Sequence, residues 1–317
     1  MTGRARNERR SDGPHFGVLL VPDLPGQHSF GVRELPALAR AAEQLGLHRV
    51  AVDDHLLHVV PAYDPVACLA AIAVTTQRIR IAVEVMVLPL RHPVRVAQAI
   101  TTLDHLSGGR VELGVGVGGE WPVEYAALGV DVRTRGNRAD EALEALTALW
   151  GPSPASFHGR HYDFADVALR PSPLQLPHPP IAVGGRSRAA LRRAARFADR
   201  WDGIFLDPGQ YQERAGALQG LAAQTGRQVG MGLVAWLAAG PRRSARAALA
   251  ATLEPFYQTP LQRIERFLIY GPPPALRQRV SELIAVGARE VTLIPVGDPL
   301  EQLAAIAELA ASLAVTP

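Results

Sequence analysis

The chain alternates short β-branched runs with stretches whose apolar residues recur every three or four positions. The first pattern predicts strands and the second amphipathic helices. Residues 16–21 read as a first strand, and Leu35, Leu38, Ala42 and Leu45 then follow at helical spacing until Gly46. A second strand at 49–52 ends in Asp53-Asp54-His55. Asp64-Pro65 has the N-cap and first-turn chemistry of a helix running to about Thr76. Ile79, Ile81, Val83, Val85 and Val87 alternate as a third strand, which sets Glu84 on the opposite face from the valines. Val96, Ile100, Leu103 and Leu106 mark a third helix, closed by Ser107-Gly108-Gly109. Residues 111–115 give a fourth strand that runs into glycines, and 139–150 a fourth helix.

Residues 151–180 break this rhythm, being rich in proline and without a helical period. They read as an excursion with a hairpin around 158–164. Strands then return at 181–183, 203–206, 229–237 and 290–295, and helices at 188–198, 211–224, 242–270, 274–286 and 300–313. Repeated β-α units make parallel sheets with right-handed crossovers. Eight of them predict one α/β domain, a (β/α)8 TIM barrel at 16–317 with an insertion at 151–180 after the fourth βα unit. A doubly wound sheet is the alternative, disfavoured because no GxGxxG follows the first strand. The excursion and residues 242–270 are expected to shape the ligand pocket.

Composition narrows the functional classes. A chain of 317 residues, 48% hydrophobic, suits one barrel and excludes a disordered protein. A single cysteine excludes a disulfide scaffold. No uncharged apolar run reaches the length of a membrane helix, and the first fifteen residues lack the apolar core of a signal peptide, so the expectation is a cytoplasmic chain. All 33 basic residues are arginine, which removes Schiff-base, P-loop-lysine and lysine-base chemistry. Arg4, Arg6, Arg9 and Arg10 exceed the net charge of +3, so 1–15 reads as a disordered basic tail on a near-neutral body, which argues against nucleic-acid binding. The histidines show neither HxH nor HExxH spacing, so no metal is expected, and no GxSxG suggests a serine hydrolase.

In a barrel, chemistry sits on the loops that follow the strands. Asp54 and His55 end the second strand, where an Asp–His pair can tune a base near neutral pH; a helix-capping Asp beside a hydrogen-bonded His is the structural alternative. Glu84 must either enter the barrel, facing its mouth or an arginine, or be moved to solvent by a bulge. Gly114, Gly116, Gly118 and Gly119 would let a flat or phosphorylated ligand approach the backbone, and Glu120, Trp121 and Glu124 follow them. Gly184-Gly185-Arg186-Ser187, between a strand and a helix, has the parts of a phosphate cup. Arg133, Arg135 and Arg138 near Asp140 and Glu141 suggest an intrahelical ladder. Trp150, Trp201 and Trp236 read as core, whereas Trp121 is the candidate to face a substrate.

Three stretches together resemble the bacterial luciferase-like superfamily of flavin- and deazaflavin-dependent oxidoreductases. They are Val87-Leu88-Pro89-Leu90-Arg91-His92-Pro93, Thr102-Leu103-Asp104-His105-Leu106-Ser107-Gly108-Gly109-Arg110 with Leu113-Gly114-Val115-Gly116, and Pro180-Ile181-Ala182-Val183-Gly184-Gly185. The resemblance runs from Phe16 to about Leu313. It implies a barrel holding an isoalloxazine-like ring at the strand C-termini, with F420 as cofactor or FMN as the alternative. Asp54-His55 matches an Asp-His of F420-dependent members, where the His lies near the reacting face of the ring. A non-prolyl cis peptide of such members maps onto Glu84-Val85, which with Gly116, Gly118, Gly184, Gly185, Arg186 and Ser187 would contact the cofactor. A catalytic Glu after the fourth-strand glycines maps onto Glu120, displaced by the intruding Gly119. The implied reaction is hydride transfer to or from a small-molecule substrate, with His55 moving the proton. The alternatives are an FMN-dependent monooxygenase fed by a separate flavin reductase, and a flavin-binding barrel without turnover. Members of the superfamily are often homodimers.

Overall fold

The computed structural model describes residues 13–26 and 29–314. The first twelve residues of the expected basic tail lie outside that range. His15 does not belong to a tail, because it opens the first strand.

The elements run β1 (His15–Leu19), α1 (Leu35–Gln44), β2 (Arg49–Val52), α2 (Pro65–Thr75), β3 (Arg80–Val87), α3 (Pro93–Ser107), β4 (Val111–Gly116), α4 (Pro122–Ala127) and α5 (Arg135–Trp150). A hairpin follows, β5 (Ala155–His158) and β6 (Asp163–Val167). The alternation resumes with β7 (Ile181–Gly184), α6 (Arg188–Phe197), β8 (Arg200–Ile204), α7 (Pro208–Gln224), β9 (Gly230–Ala239) and α8 (Arg242–Tyr257). The last elements are β10 (Ile269–Gly271), α9 (Pro273–Ala285), β11 (Glu290–Pro295) and α10 (Pro299–Ala314). Asp64 caps α2 by accepting from Val66 N and Ala67 N, with Pro65 in the first turn, as its sequence predicts. α3 stops at Gly108, whose φ of 64° suits a residue without a Cβ.

Eight parallel strands close into a barrel in the order β9-β11-β1-β2-β3-β4-β7-β8, with β8 pairing back onto β9. β10 adds a short ninth strand on β9. The predicted (β/α)8 barrel is therefore the fold. Several boundaries differ, two of them as follows. The strand expected at 203–206 is Arg200–Ile204. The helix expected over 242–270 ends at Tyr257 and is followed by two 3-10 turns and β10.

Alternation along the strands separates two sets of side chains. Val50, Val52, Ile81, Val83, Leu113 and Val183 face the helices and form the large outer core. Leu19, Ala51, Ala82, Val234, Trp236 and Ile294 face inward and pack with Leu249, Leu253 and Phe256 of α8. Beneath this apolar layer the barrel interior is charged. Arg49, Glu84, Glu112, Asp202 and Thr292 are all buried there. Arg49 Nη1 donates to Glu112 Oε2 at 3.1 Å and Nη2 to Thr292 Oγ1 at 2.5 Å. Arg200 bridges Asp202 and Glu112 at 2.9 and 2.8 Å, and Arg80 also binds Glu112. These guanidinium groups hold the Glu112 carboxyl well below the usual range despite its burial.

The insertion does not lie over the barrel mouth. Its hairpin packs on the outside of α5, where Glu141 Oε1 accepts from His161 N and Tyr162 N, and Tyr162 meets His92 edge-on at 5.5 Å. The returning chain is fixed near the N-terminal end of β4. Asp104, completely buried, accepts from Leu174 N, Gln175 N and Gln175 Nε2, and Gln175 Nε2 also donates to Val111 O. The expected intrahelical ladder in α5 is also absent among the described ion pairs. Arg133 pairs with Asp131, Asp140 with Arg193, and Glu141 serves the insertion.

Candidate active site

The inward-facing residues near the C-terminal ends of β2, β3, β4, β7 and β8 remain half-exposed: Asp53, Val85, Gly116, Gly184 and Ile204. These positions are surrounded by a packed barrel, so this exposure marks an opening at its mouth. The floor of the opening is made by Val85. The β3–β4 register shifts between Val83 and Met86, so Val85 leaves the outward row; the Glu84–Val85 peptide is cis. The glycines answer to this bulge. A Cβ on Gly116 would lie 2.5 Å from Val85 Cγ2, and one on Gly184 2.9 Å from Val85 Cγ1. A Cβ on Gly118 would lie 2.9 Å from Val87 Cγ1. Gly116, Gly118 and Gly184 thus make room for β3 side chains rather than leaving bare backbone for a ligand. Glu84 itself is turned below the floor, among Arg49, Thr292 and Asp202. Of the expected cofactor pair, only Val85 reaches the mouth. Burial, with the Asp202 charge beside it, pushes the Glu84 carboxyl up to about 8.

Asp54 and His55 do not pair with each other. Asp54 accepts from Val87 N at 2.9 Å and from Arg91 Nη2 and Nε at 2.8 and 3.2 Å, which ties the end of β2 to the end of β3. His55 Nδ1 lies 3.3 and 3.4 Å from the two oxygens of Glu124. Glu124 stands in the first turn of α4, has no exposed surface, and also accepts from Leu56 N at 2.6 Å and Leu57 N at 3.2 Å. A carboxylate only accepts, so Nδ1 carries the proton and Nε2 is the nitrogen left to exchange one. Glu120, expected as a catalytic residue, is exposed on the rim, and the described hydrogen bonds of His55 go to Glu124 instead. Glu124 is the carboxylate that engages it. Sequence spacing placed Glu124 near the rim; its backbone partners on the β2 loop left no local signal.

Around His55 the mouth is aromatic. His58 lies 4.6 Å from His55, 4.9 Å from Trp121 edge-on and 4.5 Å from Phe256. Burial, helped by the His55 ring, lowers His58 to about 4, so it is neutral at pH 7. Trp236 Nε1 donates to Tyr257 Oη at 2.9 Å, and Tyr257 meets Phe205 edge-on at 5.2 Å. Trp121 is half-exposed, while Trp150, Trp201 and Trp236 are buried. Asp53 also faces the mouth, by its alternation with Arg49 and Ala51. Burial raises its carboxyl to about 6.

At the expected phosphate cup, Ser187 Oγ accepts from Ala190 N and caps α6. Arg186 Nη1 donates to Phe205 O at 2.9 Å, and its guanidinium sits 5.9 Å from the rings of Phe205 and Phe267. Gly185 has φ 117° and donates its N–H to Asp202 O. The α6 first-turn amides after Ser187 lack intrahelical partners and remain suited to an anion. One possible metal-ligand group was not visible from spacing. His15, His48 and Glu290 bring donor atoms within 4.8 Å of one another. It lies at the opposite end of the barrel, with Arg49 3.8 Å from the same carboxylate, where a guanidinium opposes a second cation.

Fold and site together define a (β/α)8 barrel with a glutamate-held histidine and an aromatic wall at its C-terminal mouth. The profile of the luciferase-like monooxygenase family matches residues 15–316, and the chain belongs to that family. It is 37% identical over 167 residues to an uncharacterized protein of Mycobacterium tuberculosis, covering 53% of this chain and 57% of that relative. It is 33% identical over 245 residues to the FMNH2-dependent dimethylsulfone monooxygenase of Pseudomonas putida, covering 74% of this chain and 66% of that relative. Both matches thus span less than two thirds of the relative's length. Among solved structures, an F420-dependent secondary alcohol dehydrogenase superposes with a TM-score of 0.84 at 18% identity, covering 96% of this chain and all of that one. Family members and structural neighbours are oxidoreductases and monooxygenases that use F420 or FMN. No helix among the described residues is long and apolar enough to cross a membrane.

Proposed function

We propose that the protein is an F420-dependent oxidoreductase that moves a hydride between the deazaflavin and a small organic substrate, with His55 giving or taking the accompanying proton. The observation that carries this reading is the His55–Glu124 contact at 3.3 Å, which fixes one imidazole nitrogen and leaves the other for proton exchange. A flat ring would rest on the mouth. Its floor is Val85, supported by the Gly116 and Gly184 backbone, and Ile204 and Phe205 extend it as apolar surface. Gly185, Arg186, Ser187 and the α6 amides would hold the anionic arm, without lysine. When bound, the deazaflavin supplies the hydride donor or acceptor. Asp54 acts at one remove. By binding Arg91 and Val87 N it holds the β2 loop that carries His55.

A second reading, an FMN-dependent two-component monooxygenase served by a reductase, is favoured by the name of the Pseudomonas relative. Titration of the purified protein with F420 and with reduced FMN separates the two. Tight F420 binding with hydride transfer is expected. FMN binding without F420 binding overturns the first reading, and binding of either without turnover in any substrate screen leaves a non-catalytic barrel. His55→Ala should lower turnover by about 10²-fold or more with cofactor affinity little changed. Turnover near the wild-type rate would remove His55 from the reaction.

A further inference from the structure

Two imidazoles stand side by side at the mouth, and their hydrogen bonds set opposite tautomers. His55 Nδ1 faces the Glu124 carboxylate, which only accepts, so the proton sits on Nδ1 and Nε2 offers a lone pair. His58 is arranged the other way. Its Nδ1 accepts from Val60 N at 3.4 Å, so Nδ1 has no proton and Nε2 carries the N–H. Val60 is two residues on, so the β2 loop supplies that donor by its own turn. Glu124 reaches His55 from the helix after β4.

Neither Nε2 is spent within the protein. Among the described residues no hydrogen bond reaches either atom, and neither is sealed among the buried polar atoms that lack a partner, so both are open to a ligand. The rings do not satisfy each other. Their centroids lie 4.6 Å apart with the planes tilted by 39°, a partly stacked contact and not an in-plane N–H···N bond. Trp121 and Phe256 pack on the same His58 ring at 4.9 and 4.5 Å. His58 is neutral at pH 7 in this setting, and a neutral imidazole N–H polarises an oxygen without handing over its proton.

The two open atoms are complementary. One takes a proton and the other donates a hydrogen bond. An oxygen that is a hydroxyl in one redox state and a carbonyl in the other uses both. We propose that His58 is a second catalytic imidazole, whose Nε2–H binds the substrate oxygen on which His55 acts. This rests on reading the mouth as the reaction site, and it makes the substrate an alcohol or a carbonyl compound. In the oxidising direction the carbinol C–H bond breaks, and its hydrogen leaves with both electrons to the oxidised deazaflavin. The O–H bond breaks, its proton goes to His55 Nε2, and its electron pair completes the C=O bond. His58 keeps its N–H throughout and stabilises the charge that develops on the oxygen. Reduction runs through the same contacts in reverse.

The first test needs no cofactor. Long-range proton–nitrogen correlation spectra of histidine-labelled protein at pH 7 report which ring nitrogen is protonated, with His55→Ala and His58→Phe assigning the two rings. His58 should show its proton on Nε2 and His55 on Nδ1. A His58 protonated on Nδ1, or on both nitrogens, overturns the proposal. The second test uses two probes of one shape, acetophenone and α-methylstyrene, which exchange an oxygen for a methylene, titrated into the intact protein with and without F420. A ketone oxygen only accepts, so it reads His58 and not the lone pair of His55. Acetophenone should bind about tenfold more tightly, the size of effect one hydrogen bond gives. His58→Phe keeps an aromatic ring and removes the donor, and should bring the probes within about twofold. His58→Gln, which keeps an N–H, should restore part of the difference. Equal binding by the wild type overturns the proposal, as does a preference that survives His58→Phe. The outcomes separate from those of the functional reading. The expected tautomers and ketone preference without binding of F420 or FMN remove that reading alone, and F420 turnover left unchanged by His58→Phe removes this one alone.

Discussion

His55 Nδ1 and the fully buried carboxylate of Glu124 meet across 3.3 Å, joining the loop after β2 to the short helix after β4. Glu124→Gln keeps a carbonyl for Leu56 N and Leu57 N but removes the charge beside the imidazole. Turnover should fall by about 10- to 100-fold with a near-native melting temperature. Glu124→Ala should also lower stability, by about 2 kcal/mol, because two amides lose their acceptor. Steady-state kinetics and thermal melts on the two variants check both statements. A fully active Glu124→Gln would show that the contact does not tune the histidine.

Glu84 makes stability depend on pH. Its carboxyl holds its proton up to about 8 in the folded barrel, against an ordinary value of 4.5. Between those values the folded state binds more protons than the unfolded one, so stability falls as pH rises. The contribution is complete below 4.5 and lost by about 8. Glu84→Gln, which stays neutral, should therefore gain on the wild type steadily from pH 5 to pH 8. Urea denaturation at those two pH values measures it, and a constant difference would contradict the assignment.

Arg91→Ala removes the guanidinium from Asp54, whose side chain is almost wholly buried. An unpaired buried charge is costly, and the loss should be about 2–3 kcal/mol, at the lower end of such cases because Arg91 is partly exposed. Since Asp54 holds the His55 loop, turnover should drop with it. Chemical denaturation and kinetics on one preparation read both; an unchanged unfolding midpoint would mean Asp54 is stabilised by Val87 N alone.

The glycine at position 116 and the valine at position 85 share one space. Gly116→Ala alone forces a Cβ to within 2.5 Å of Val85 Cγ2 and should destabilise by about 1–3 kcal/mol. Val85→Ala opens that space. The double variant should then be more stable than the sum of the singles requires, by about 1 kcal/mol. Strict additivity in a denaturation cycle would separate the two residues.

Much of the barrel could be read from the chain because its outward strand faces obey simple alternation, as Ile81 and Val83 do. The boundary missed at β8 has a physical cause. Arg200 and Asp202 face a charged interior, so this strand lacks the apolar signature that marked the others. α4 was missed because it is only six residues long and opens with proline. Asp54 and His55 could be placed at the rim by their position after β2, but their partners could not be read. Arg91 and Glu124 come from other units, and no local spacing encodes a contact between residues so far apart in sequence. The glycines were read as ligand-facing because sequence gives a glycine's freedom but not its neighbour. Here that neighbour is a valine of β3.

The single carboxylate of Asp104 gathers the returning end of the insertion through two backbone amides and the Gln175 side chain. It makes the hairpin an exchangeable part. A chain held to the barrel at its return, and resting on the outer face of α5, can be lengthened or replaced at its exposed tip, around Arg160, without a change propagating to the mouth. Arg160 is thus a place to carry a fluorophore or a tether that reports on the enzyme without touching its chemistry.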